Sequence, residues 1–241
     1  MIPSRALARR LLAALVLTIA TPLPGHAAGP SFDCTGSLGP VERAVCASPA
    51  ISRLDARIAV AYRRAMTAWS ADPIARDLLR SAQRAFLDRR ETALAAPHDA
   101  LRSLHEVQVR VLEALDFAPR TGFEGGWSNL AGGIDVFRDT TGLVLWGNSV
   151  EPIFFRWICD TQENAVVAGP TLITPPEAVA PDHAGWSIRL ERDGAALRLR
   201  EVAPPATEAS SDGGSAGQSP RCGRNGRFDG VYFPTRGTLR P

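Results

Sequence analysis

Few residues in this 241-residue chain have the types and spacing that chemistry requires. Asp33/Glu42 and Asp88/Glu91 are pairs of carboxylates, as glycoside hydrolysis needs: one acid protonates the leaving group and the other acts as nucleophile or base. Acids in helical segments ordinarily form a solvated face, however. Ser103 and His105 could supply nucleophile and base, but residues two apart on a helix do not face each other. His98, His105 and His183 stand outside any HExxH, and the glycines at 132–133 read as a turn without the GxGxxG context. No CxxC occurs, and no Cys/His cluster has zinc-ligand spacing. The sequence therefore offers no catalytic residue, no metal ligand set and no cofactor site. It reads as a protein that is not an enzyme.

The four cysteines point to another use. Residues 1–27 have the form of a secretory leader: Arg5, Arg9 and Arg10, an apolar run from Leu11 to Ala20, and small residues Gly25 and Ala27 at a cleavage site. The run is shorter than the roughly 20 apolar residues of a membrane span, so a cleaved leader and no stable membrane anchor are expected. In an exported chain four Cys imply two disulfides, with three connectivities open. Cys34 with Cys46 is the local pairing, and Cys159 with Cys222 would fasten the last strand across a long loop. The alternative joins each of the first two to the second half of the chain.

Charge excludes one large class. Every basic residue is Arg; without the leader, 24 Arg face 25 acidic residues, and neither half is strongly basic. A nucleic-acid binder would show an excess of positive charge.

The elements that carry these residues fall into two kinds. Ser48-Pro49 and Asp72-Pro73 are helix starts, each an acceptor at the N-cap followed by proline. Ile51, Leu54, Ile58, Ala61, Ala65 and Trp69 stripe one helix. Ile74, Leu78, Ala82, Ala85 and Phe86 stripe a second, and Leu101, Leu104, Gln108, Val111 and Leu115 a third beyond Pro97. A brief helix around Pro40–Cys46 precedes them. Short links favour an antiparallel bundle.

From Phe123 onward the period becomes two. Asp139-Thr140-Thr141-Gly142 and Asp193-Gly194 read as hairpin turns between alternating apolar runs. Phe155, Trp157 and Cys159 read as one strand face. Seven or eight short strands would form a small antiparallel sandwich or barrel. Residues 203–220, rich in Pro, Gly, Ser and Ala, read as a disordered loop. The fold expected is α+β in two domains: a disulfide-tied antiparallel helical bundle over 28–118 and a β domain over 119–241.

One stretch carries a resemblance. Phe32-Asp33-Cys34, Glu42, Cys46, Leu54-Asp55 and Tyr62, followed by Gln83-Arg84-Ala85-Phe86-Leu87-Asp88-Arg89-Arg90, resemble the N-terminal domain of the LprI family of lysozyme inhibitors. Phe86 stands where that family has Trp, Ala93 and Ala100 where members often carry a second cysteine pair, and His105 where a Tyr is expected. The resemblance covers about residues 32–115 and implies a periplasmic or secreted protein that binds lysozyme, or another envelope protein, by protein–protein contact. It does not say which surface binds. The alternative is an adaptor whose β domain holds a ligand or peptidoglycan glycan, with Trp127, Trp146, Trp157 and Trp186 as candidate contacts.

Overall fold

The computed structural model describes residues 29–176, 183, 185–204 and 218–237. The expected leader, and most of the loop expected at 203–220, lie outside the described residues. Four helices come first: α1 (Pro40–Ala47), α2 (Pro49–Ala68), α3 (Pro73–Ala95) and α4 (Ala100–Ala114). Ser48 Oγ accepts from the Ile51 N–H at 3.4 Å and Asp72 Oδ1 from the Ala75 N–H at 2.9 Å, so both proline-opened starts are capped. The α3 stripe keeps Phe86 in the core with Leu78 and Ala82 packed against it, as the sequence reading has it, and departs from that reading at its N-terminal end. Ile74 points outward at 50% exposure, while Ala75, Leu79 and Phe86 enter the core. Gln83–Gln108 and Phe86–His105 contacts step in opposite directions along α3 and α4, which therefore run antiparallel.

Eight strands follow: β1 (Gly125–Ser128), β2 (Gly132–Asp139), β3 (Gly142–Val150), β4 (Ile158–Ala168), β5 (Thr171–Ile173), β6 (Ser187–Asp193), β7 (Ala196–Val202) and β8 (Gly230–Thr235). All pairings are antiparallel, each strand to the next, and β1 pairs with β8 to close a barrel. Of the two architectures expected, the sheet takes the closed one. Both expected hairpin turns form, Asp139 pairing with Gly142 and Asp193 with Ala196. The interior of an eight-stranded barrel is just wide enough to be filled by side chains or to hold one small ligand. Trp127, Leu145, Leu172, Ile188, Leu190 and Tyr232 fill this one.

Phe155 and Trp157 do not share a strand with Cys159. They precede β4, in a loop that the Glu151 carboxylate bends by accepting from the N–H groups of Ile153 and Phe154. That capture of two donors overrides the local apolar alternation.

The helices and the barrel are packed against each other. Trp69, just past α2, stacks on Phe233 of β8 at 5.8 Å between ring centres and meets Phe117 edge-on at 5.4 Å. Asp72 serves both sides: beyond capping α3, its Oδ2 accepts the Ala195 N–H of the β6–β7 turn at 2.7 Å. Gly194 in that turn has φ +62°, and a Cβ there would lie 2.6 Å from Asp72 Oδ1. Asp116 N donates to Pro234 O and Arg236 N to Ala114 O, so the chain leaving α4 adds to the edge of β8.

Cys34 bonds to Cys46 and Cys159 to Cys222, and neither bond crosses residues 116–122. A chain nicked between 119 and 122 is therefore expected to stay associated in native buffer and to separate in denaturant without reductant. Asp72→Ala removes a cap and leaves the Ala195 N–H without its acceptor, at a cost of about 2–4 kcal/mol. It should weaken the nicked complex measurably in size-exclusion chromatography.

Candidate functional site

Three residues of the sequence motif, Glu42, Asp55 and Phe86, meet around a fourth, Arg90. Its side chain is only 11% exposed and lies between two carboxylates from different helices: Glu42 of α1 at 3.2 Å and Asp55 of α2 at 3.7 Å. Asp55 is itself buried, and its Oδ2 accepts the Ser31 N–H at 2.7 Å, drawing the incoming chain onto the helices. The Cys34–Cys46 bond holds the same segment, with Cα atoms 5.9 Å apart. Closing a loop of that size contributes about 3 kcal/mol by restricting the unfolded chain. Leu54 and Tyr62 pack half-buried against the helical core.

One turn back along α3, Phe86 lies 6.0 Å below the Arg90 guanidinium and meets the His105 ring edge-on at 5.3 Å. His105 is wholly buried, its Nδ1 donating to Leu101 O at 2.7 Å. Burial pushes its pKa below the usual 6.5 and the Arg90 charge adds to that; the Leu101 carbonyl and Asp55 pull the other way without reversing it. The neutral form of the imidazole is therefore favoured over the charged one. Gln108 Nε2 donates to Gln83 Oε1 at 2.9 Å, joining α4 to α3.

Asp33 is engaged by the backbone and hydroxyl of Thr35, which hold its carboxyl below the usual range. Glu42 faces Arg90, so the first carboxylate pair is spent on local structure. Asp88 and Glu91 are both exposed on α3. Ser103 is half-buried and His105 fully buried. Trp127 lies inside the barrel, its Nε1 donating to Phe123 O and its ring flanked by Arg120 and Arg192 at 4.9 and 5.2 Å. Trp146, Trp157 and Trp186 are half-buried.

The barrel hides a second ion pair that the sequence reading did not find. Glu163, on the inward face of β4, receives Arg221 through two hydrogen bonds of 2.5 and 2.9 Å, beside the Cys159–Cys222 bond. Arg221 is 0% exposed on its side chain, and Glu201 approaches it at 3.5 Å. Burial raises the Glu163 pKa, but the Arg221 bonds and charge outweigh it and hold the carboxyl below its usual value. The alternation of β4, with Cys159, Thr161, Glu163 and Ala165 buried, was the available signal for an inward acid.

The arrangement is thus a scaffold: a disulfide-tied helical module locked by a buried cation, joined to a closed barrel. Residues 34–115, about a third of the chain, match the family described as Lysozyme inhibitor LprI. No curated protein and no solved structure matches the chain. All the motif residues from Cys34 to Arg90 lie within the matched segment, and those around Arg90 hold the module together.

Arg90→Met, which keeps the apolar stem and leaves two carboxylates facing each other, should lower stability by about 3 kcal/mol in urea titration. The His105 contribution has a definite sign. The unfolded imidazole titrates near 6.5 and the folded one lower, so the unfolded chain binds more protons just below pH 6.5. Stability should be full above that pH and fall as pH drops through it. His105→Phe should abolish that part of the loss between pH 7.5 and 5.5.

Proposed function

We propose that this chain is an exported envelope protein, not an enzyme, that inhibits lysozyme by protein–protein contact through its helical module. The observation that carries the reading is the match of residues 34–115 to the lysozyme-inhibitor family. The leader-like residues 1–27 and two disulfides suit a periplasmic or secreted location. Among the described residues no helix is long and apolar enough to cross a membrane. An inhibitor needs a surface that does not reorganise on contact, because ordering it would subtract from affinity. The Arg90 cluster and the Cys34–Cys46 bond supply that stiffness. The alternative is an adaptor whose β domain holds a ligand or peptidoglycan glycan; Trp127, Leu145 and Tyr232 occupy the barrel interior, which leaves such a ligand only the mouths and outer surface.

Incubating residues 28–241 with a c-type lysozyme and a cell-wall suspension tests the proposal. Lysis should slow in proportion to the added protein and stop near stoichiometric amounts. Undiminished lysis at micromolar excess would rule inhibition of that lysozyme out.

A further inference from the structure

A crevice of about 340 Å³ opens where α4 meets the barrel, within the size range of small-molecule sites. Val107 and Val111 of α4 form one wall; Leu130 and Val150 form the other. The lining residues include two guanidiniums, Arg110 and Arg236, and no carboxylate. Arg236 is committed, donating to Glu113 O at 2.6 Å. Arg110 is exposed and, among the described residues, makes no ion pair.

Two further observations point to an occupant. Ser128, 7% exposed, lines the crevice with a buried hydroxyl that has no hydrogen-bond partner. A buried hydroxyl in that state costs free energy that a ligand atom would recover. At the rim, Phe155 is 66% exposed with φ +53°, a left-handed conformation that a bulky side chain rarely adopts. The Glu151 carboxylate fixes the loop behind it. Strain of this kind persists where the surrounding structure imposes it, and it concentrates at ligand clamps.

We infer that this crevice binds a small organic anion with an apolar body: the anionic head at Arg110, the body between the valines of α4 and β3, and Phe155 across the opening. This goes beyond lysozyme inhibition and does not rest on it.

Fluorescence titration of the full chain with 1-anilinonaphthalene-8-sulfonate tests the inference, with dodecanoate as competitor and neutral N-phenyl-1-naphthylamine as control. The expected result is one saturable site, displacement by dodecanoate, and at least tenfold weaker binding of the neutral probe. Arg110→Glu, at an exposed position, should weaken the anionic probe at least tenfold with an unchanged circular dichroism spectrum. If that variant misfolds, Arg110→Gln should weaken it several-fold. Phe155→Gly, which relieves the left-handed strain, should weaken binding without lowering Tm. Equal affinity for both naphthyl probes, or indifference to either Arg110 substitution, would overturn the inference. So would binding that appears only in a chain ended at Gly237, since the residues beyond would then be the occupant.

Discussion

A guanidinium withdrawn from water must be surrounded by acceptors, and Arg90 imposes that requirement on the helical half. Its two carboxylates come from α1 and α2, so three helices meet at one cation. The Ser31 N–H on Asp55 and the Cys34–Cys46 bond then place the segment that leads into α1. Such a cluster is weak evidence for net stability, because desolvation offsets much of the attraction. Its effect is geometric: it fixes three helices about one cation, even though the buried Arg90 Nε has no hydrogen-bond partner of its own. Asp55, Phe86 and Arg90 of the motif are therefore spent inward, while Arg84, Leu87, Asp88 and Arg89 lie on the exposed face of α3, where a partner would meet them.

The barrel repeats this logic with Glu163 and Arg221, again beside a disulfide. The junction between the halves uses different means. Trp69 on Phe233 supplies apolar contact, while Asp72 caps α3 and holds the β6–β7 turn. The junction also leaves the crevice lined by Ser128 and Arg110, which neither half forms alone. The family match, residues 34–115, lies in the helical part.

How much of this was legible follows from the range of each interaction. Ser48-Pro49, Asp72-Pro73 and Asp193-Gly194 act within a few residues, so the helix starts and this hairpin could be read directly. The local Cys34–Cys46 pairing was of the same kind. Phe155 was misread because Glu151, four residues earlier, captures backbone donors that a strand would have used. Ile74 was assigned to a core face because both it and Ala75 suit a helix, and only packing decides which turns inward. The partners of Asp72 and Glu163 lie 123 and 58 residues away along the chain. Nothing local marks such pairs, and the crevice, built from residues on both halves, was invisible for the same reason.

On the function proposed, a pre-stiffened helical module carries the contact with lysozyme. Amide hydrogen exchange on residues 28–241, with and without saturating c-type lysozyme, tests it most directly. Slow exchange is expected near Arg90 in the free protein, and new protection on exposed helical turns within 34–115 when lysozyme is present. Protection confined to the barrel, or none anywhere, would contradict it.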